Sequence, residues 1–244
     1  MEQRFQNKVC FVTGATSGIG RAVALQMGRE GGRVVVLGRD AQDGRAVVQA
    51  IKKAGGEAMF IRTDVGRDAQ LVAAVRKTLA AWHKIDVLVS NAAMMTFDPI
   101  LKLDPKDWDT LMQVNLRSLF RLTQLCLPHM KHGSIVAVSS VHAQQTTPNV
   151  VAYAASKGAV EAFVRGLSQE IPHTHARINA VAPGAVDTPM LWSNPNVKSG
   201  KEKITGQVGT PEELATTICF LASPDASFIN GTTLVADGGR LAAL

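Results

Sequence analysis

A chain of 244 residues with 46% hydrophobic and 19% charged residues folds as one large globular domain or two small ones, with a core of Ala, Val, Leu and Ile because only 5% is aromatic. No apolar run reaches the roughly 18 residues of a membrane span; residues 133–156 lack Asp, Glu, Lys and Arg, but Ser139, Gln144, Gln145 and Asn149 break that stretch. The net charge of +6 permits acidic partners, yet the basic residues are scattered and not interleaved with aromatics, which argues against nucleic acid.

The start, Met1-Glu2-Gln3-Arg4, has no signal-peptide hydrophobic region. Cys10, Cys126 and Cys219 lie far apart in apolar segments, without redox or metal-ligand spacing. The expectation is buried thiols in a cytoplasmic protein, with no metal.

In chain order, strands are expected over Val9–Thr13, Arg33–Leu37, Ala58–Arg62, Val87–Ser90, Ser134–Ser139, Arg177–Val181 and Thr232–Val235. Helices are expected over Ile19–Glu30, Ala41–Ala54, Ala69–Trp82, Lys106–Met130, Val151–Glu170 and Pro211–Leu221. Near-continuous apolar strands separated by helices predict a parallel sheet covered on both faces. Right-handed crossovers make it a doubly wound, Rossmann-type α/β sheet of seven strands. There is no Pro/Ser-rich linker, charge run or repeat, so residues 1–244 are expected to form one domain. Pro189–Gln207 breaks the rhythm and is expected to be a loop over the substrate.

The first strand runs into Thr13-Gly14-Ala15-Thr16-Ser17-Gly18-Ile19-Gly20, which opens a helix. Glycines there permit a tight turn and close approach of backbone to a pyrophosphate, with the helix N-terminus facing it. The spacing departs from Gly-x-Gly-x-x-Gly. The second strand ends in Gly38-Arg39-Asp40, where an Arg suits a ribose 2′-phosphate and an acid suits a free 2′-hydroxyl. Arg39 favours NADP, with NAD as the alternative; Asp40 is either a helix cap or a counterweight. Asp64-Val65 and Asn91-Ala92-Ala93 follow the third and fourth strands, either lining the crevice or capping turns.

Tyr153, the only tyrosine, stands four positions before Lys157, so phenol and ammonium share one helix face. A neighbouring cation is expected to pull the phenol below its usual value of about 10, towards the range useful for proton transfer to an alcohol oxygen. Ser140, at the end of the fifth strand, is placed to hold a carbonyl oxygen beside the phenol.

These motifs, in this order and across essentially the whole chain, resemble the single-domain short-chain dehydrogenases/reductases. The residues that carry the resemblance are Thr13-Gly14 with Gly18-Ile19-Gly20, Asp64, Asn91-Ala92, Asn115, Ser140, Tyr153 with Lys157, Pro183-Gly184, Thr188 and Asp237-Gly238-Gly239. The resemblance implies Tyr153 as general acid/base, Lys157 tuning it and binding the nicotinamide ribose, Ser140 on the substrate oxygen and Asn115 anchoring a proton-relay water. It implies that Pro183, Gly184, Val186 and Thr188 border the nicotinamide. It also implies a homotetramer paired through Lys106–Met130 and Val151–Glu170, and again through the last strand and Pro211–Leu221, with Leu241–Leu244 as an apolar tail. Ala93 replaces a common Gly, and Pro189–Gln207 is short.

Expected substrate walls are Met94, His142, Gln144, Val150, Met190 and Trp192. Ser139-Ser140-Val141-His142 resembles bacterial glucose dehydrogenases of the family, with His142 either touching a hydroxylated substrate or packed in its loop. The implied activity is hydride transfer between NADP(H) and a small-molecule ketone or secondary alcohol. Sugar or polyol oxidation and 3-oxoacyl-thioester reduction are alternatives; Lys198, Lys201 and Lys203 would suit an acidic carrier. The competing class is a non-catalytic nucleotide sensor, which has no use for the Asn115, Ser140, Tyr153 and Lys157 set.

Overall fold

The computed structural model describes residues 3–172, 174–200, 203–204 and 206–243. Lys201 and Leu244 lie outside them. The strands are β1 (Val9–Thr13), β2 (Arg33–Gly38), β3 (Glu57–Arg62), β4 (Val87–Ser90), β5 (Gly133–Val138), β6 (Ala176–Pro183) and β7 (Thr233–Ala236). They form one seven-stranded sheet in the order β3-β2-β1-β4-β5-β6-β7. Every ladder is parallel.

The apolar runs form strands because both of their faces are covered. Along β1, Cys10 and Val12 pack on one side of the sheet with α1 (Gly18–Arg29), α2 (Ala41–Lys53) and, near the C-terminus, the helix Pro211–Ala222. Val9 and Phe11 pack on the other side, with α3 (Asp68–Trp82) and the helical layer between β4 and β6. Each fully buried Val, Leu or Phe contributes about 1.5–3 kcal/mol to such a core. Cys10, Cys126 and Cys219 are buried and unpaired, and burial raises all three thiols.

The helix expected over Lys106–Met130 is present and contiguous, but not regular. It comprises α4 (Pro105–Met112), a π turn at Gln113–Arg117, α5 (Ser118–Cys126) and a closing 3-10 turn at Leu127–His129. Asp104 accepts from the Lys106 N–H and Pro105 opens α4, a start signal with an evident mechanism. The π turn carries Asn115, whose side chain bonds outside the helix. Then α6 (Val151–Glu170) runs unbroken for 20 residues.

The expected loop Pro189–Gln207 is a second correction. It contains α7 (Pro189–Ser193) and α8 (Pro195–Lys198), capped by the Thr188 hydroxyl and the Asn194 amide oxygen. After it comes α9 (Pro211–Ala222), opened by a reciprocal Thr210–Glu213 capping box. Strand β5 stops at Val138, one residue before its expected end, and the Ser139 N–H still donates to the Val181 carbonyl at 2.7 Å. No described helix is long and apolar enough to cross a membrane.

Candidate active site

The C-terminal ends of the strands open on a cleft of about 620 Å³. It lies where strand order reverses between β1 and β4, the usual ligand crevice of a doubly wound sheet. Gly14, Thr16, Ser17, Gly18 and Ile19 line one end. Gly14 and Gly18 are left-handed, with φ of 62° and 51°. A Cβ on Gly14 would lie 2.8 Å from Asn91 Nδ2, so the loop runs flush against β4's exit.

Ser17 caps α1 by position only, with no side-chain hydrogen bond, and the first turn of α1 carries no acid. By contrast the first turns of α2, α3, α4 and α9 carry Asp43, Asp68, Asp107 and Glu212/Glu213. The N–H groups of α1 are thus left for an external anion, which fits a dinucleotide pyrophosphate. Gly20 does not line the cleft. It sits in α1 where a Cβ would run into the Gly14 carbonyl and the Asn91 amide, so its part is close packing.

Arg39 is exposed on the cleft edge. Asp40 Oδ1 accepts from the Gln42 and Asp43 N–H groups at 2.8 and 2.9 Å, which makes it the cap of α2. Arg62 Nε donates to the Arg39 carbonyl at 3.1 Å, bringing a second guanidinium to this turn. Asp64 and Val65 also line the cleft. Asp64 accepts from the Gly66 N–H at 3.0 Å and stands 3.6 Å from Arg67, so it orders a turn and does not cap α3.

Asn91, Ala92 and Ala93 line the wall beside the glycine loop. Asn91 Nδ2 donates to the Thr13 and Gly14 carbonyls at 3.0 and 3.2 Å. Thr13, which opens the glycine motif, has a bonding role that the motif does not disclose. Its hydroxyl donates to the Val89 carbonyl and accepts from the Asn91 and Ala92 N–H groups. A lone hydroxyl ending a buried apolar strand was the available signal.

At the other end α6 brings Tyr153 and Lys157 to the cleft, 6% and 2% exposed, opposite Ser140 from the loop after β5. Lys157 Nζ donates to the Val138 carbonyl at 2.7 Å and lies 5.5 Å from the Tyr153 ring centroid. The expected lowering of the phenol is not what the structure shows. Burial pushes Tyr153 up to about 12, and its hydrogen bond with Ser140 only partly opposes this. Burial also lowers Lys157 to about 8, so desolvation dominates both groups.

Asn115 stands behind the cleft, not in it. Its Oδ1 accepts from the Met94 N–H at 2.8 Å, and its Nδ2 donates to the Met94 carbonyl at 2.9 Å and to Ser156 Oγ at 3.0 Å. Ser156 in turn donates to the Tyr153 carbonyl at 2.7 Å. The amide therefore ties the Met94 segment to the turn of α6 that carries the phenol.

Pro183, Gly184, Val186 and Thr188, at the end of β6 and just after it, line the cleft, as do Met94, His142 and Met190. The His142 ring meets the Tyr153 ring edge-on, 5.8 Å between centroids, and His142 Nδ1 is 3.0 Å from Thr146 Oγ1. Three expected walls are elsewhere. Val150 is buried among Leu111, Ala152 and Tyr153. Trp192 is 48% exposed, with its indole N–H donating to Asp187 at 2.6 Å. Gln144 is on the surface outside the cleft. Asn194 and Arg240, absent from the sequence reading, line the cleft instead.

A doubly wound sheet with an anion-ready glycine turn and a buried Ser–Tyr–Lys set at the same crevice defines a dinucleotide-linked oxidoreductase. The chain belongs to the short-chain dehydrogenase/reductase family, which acts on CH–OH and C=O groups. A family model described as enoyl-(acyl carrier protein) reductase matches residues 14–240. The 3-oxoacyl-(acyl-carrier-protein) reductase FabG of Thermotoga maritima is 35% identical over 245 residues, covering 97% of this chain and 98% of the relative. A short-chain dehydrogenase from Burkholderia cenocepacia, solved with NADP, superposes with a TM-score of 0.90 at 30% identity, covering 98% of this chain and 99% of that one. A 7α-hydroxysteroid dehydrogenase, solved with NADH and 7-oxo glycochenodeoxycholic acid, gives 0.91 at 31% identity, covering 98% and 96%.

Proposed function

We propose that the chain is an NADP(H)-dependent carbonyl reductase, interconverting ketones and secondary alcohols, with Tyr153 as general acid/base. The observation that carries this reading is the meeting of Tyr153, Ser140 and Lys157 at one end of a cleft whose other end is the uncapped N-terminus of α1. The nicotinamide, when bound, supplies or accepts the hydride. The chain's own residues handle the oxygen and its proton. Ser140 hydrogen-bonds the carbonyl oxygen, and Tyr153 delivers a proton to it as charge develops. A phenol held near 12 is protonated at neutral pH, which suits the reducing direction. Lys157, lowered to about 8 and held against the Val138 carbonyl, binds ribose hydroxyls and carries a cation beside the phenol. Asn115 fixes the loop and helix between which the substrate sits.

The preference for NADP rests on Arg39. Asp40, the acid that would favour NAD, is engaged by the N-terminus of α2, and Arg62 adds positive charge to the same turn. Gly14, Thr16, Ser17, Gly18 and Ile19 take the pyrophosphate; Asp64, Val65, Asn91, Ala92 and Ala93 flank adenine and ribose; Pro183, Gly184, Val186 and Thr188 border the nicotinamide. The reading includes one catalytic domain over residues 1–244, a cytoplasmic location and a homotetramer. Exposed Phe120 on α5 and Val151 on α6, and exposed Phe228, Leu234 and Val235 around β7, support two subunit contacts on the expected surfaces. The FabG relative keeps 3-oxoacyl-thioester reduction as the second reading.

The test is oxidation of NADPH and of NADH by the purified protein over ketones, sugars assayed in reverse and an acetoacetyl thioester. Turnover with NADPH favoured is expected, and Tyr153→Phe is expected to lower kcat by at least about 100-fold, the low end of general acid–base contributions, with NADPH binding retained. Tight NADPH binding without turnover across the panel moves the protein to the sensor class.

A further inference from the structure

Beyond β7 the chain places a cation in the cleft that neither the proton transfer nor the pyrophosphate uses. Arg240 is half-buried and lines the cleft with Met94, Met190, Leu191 and Asn194. The turn that presents it, Asp237-Gly238-Gly239-Arg240, reverses through two left-handed glycines with φ of 64° and 83°. Asp237 Oδ1 accepts from the Gly239 N–H at 2.9 Å and Oδ2 from the Leu241 N–H at 2.7 Å. The nearest carboxylate in sequence is thereby committed to the backbone on either side of Arg240, and holds the turn without pairing with the guanidinium. Gly184 lets this turn seat beside the nicotinamide end, since a Cβ there would come 2.8 Å from Asp237 Cα.

Among the described residues no carboxylate forms an ion pair with Arg240. The acids that line the cleft, Asp40 and Asp64, follow β2 and β3, one capping α2 and the other beside Arg67. A guanidinium facing a partly apolar cavity without a counter-ion is a recognition element for an oxyanion. One planar fork matches the two oxygens of a carboxylate bidentately.

We propose that Arg240 is the anchor for a carboxylate on the substrate. The compound turned over is then an oxo acid or its hydroxy acid, with the reacting carbon at Tyr153 and the carboxylate at the C-terminal turn. This deepens the carbonyl-reductase reading and rests on it for the location of the reacting carbon. Met94, Met190 and Leu191 offer the apolar surface for the intervening skeleton.

The experiment compares three oxo acids of increasing chain length, starting from levulinate, with their methyl esters. Initial rates with NADPH are measured for the wild-type protein, Arg240→Gln and Arg240→Lys. Isothermal titration of each acid and ester onto the NADP-saturated wild-type protein and Arg240→Gln reads binding without turnover. For the best chain length, the wild-type acid-to-ester ratio of kcat/KM is expected to be about 10–100, the range of a charge-assisted hydrogen bond. Arg240→Gln brings that ratio towards one, and Arg240→Lys falls between. A wild-type ratio near one for all three pairs, or a ratio unchanged in Arg240→Gln, overturns the proposal while turnover of the esters leaves the reductase reading intact. Arg240-dependent binding of an acid without turnover of any of these compounds upholds the anchor and overturns the oxo acid as the compound turned over. Neither binding nor turnover overturns both the anchor and the oxo-acid substrate, while the reductase reading is decided by the ketone, sugar and thioester panel.

Discussion

Asn115→Ala probes the link between the Met94 segment and the helix that carries Tyr153. The side chain is 4% exposed and makes three hydrogen bonds, two to the Met94 peptide groups and one to Ser156 Oγ. Water has little access to replace them, and each is worth about 1 kcal/mol net, so the loss amounts to about 3 kcal/mol before any cost of the Met94 groups left unpaired. For a chain of this size 1 kcal/mol corresponds to about 2–4 °C, so the melting temperature is expected to fall by about 6–12 °C in thermal unfolding followed by circular dichroism. Turnover falls as well, because Ser156, the partner of Asn115, also holds the Tyr153 carbonyl. In a double-mutant cycle Asn115→Ala and Ser156→Ala couple by about 0.5–1 kcal/mol, as residues sharing one network do. A melting temperature within about 2 °C of wild type, or strict additivity of the two substitutions, refutes the reasoning.

Other outcomes follow from the same geometry. Lys157 is lowered to about 8 from 10.5, so the unfolded chain holds its proton across that window and wild-type stability rises with pH through it. Tyr153, raised to about 12 from 10.0, acts in the opposite sense, but only above pH 10. Urea unfolding at pH 7.5 and pH 10 is therefore expected to show wild type gaining about 2–3 kcal/mol relative to Lys157→Met; a pH-independent difference contradicts it. Gly20→Ala forces a methyl into the Gly14 carbonyl and the Asn91 amide, costing about 1–3 kcal/mol of overpacking. Its NADPH dissociation constant by fluorescence titration should rise about 10-fold, and wild-type affinity would mean the loop yields freely. Arg39→Asp should lower the NADPH-to-NADH ratio of kcat/KM by about 10-fold or more, the value of one charge-assisted contact; an unchanged ratio assigns the 2′-phosphate to other residues.

The sheet was legible because a strand buried on both faces is a run of apolar residues that needs no partner information. Val34-Val35-Val36-Leu37 is such a run, and it is fully buried. The glycine turn, Tyr153 and Lys157 were legible because their geometry is local, a turn and one helical repeat. What escaped depends on neighbours distant in sequence. The π turn at Gln113–Arg117 surrounds Asn115, whose hydrogen bonds to the Met94 backbone no periodicity reveals. Desolvation reversed the expected direction for Tyr153, because burial is a property of the assembled fold. Val150 adjoins α6 in sequence yet turns into an apolar cluster, and Trp192 finds Asp187 and solvent rather than the cleft. The helices α7 and α8 were readable in principle, since Thr188-Pro189 and Asn194-Pro195 each combine a cap with Pro at the first helical position.

The hydroxyl of Thr13 has a consequence for how the protein adapts. Backbone pairing between β1 and β4 ends at Val12 and Val89, and there one side chain takes three hydrogen bonds that stitch the two halves of the sheet together. The seam at the floor of the cleft is thereby closed by side-chain as well as backbone hydrogen bonds. The rim beyond β6 is of another make, two helices of 5 and 4 residues and a glycine turn at the C-terminus. Substitutions along that rim leave the Thr13 seam untouched, so the two halves of the cleft can change independently.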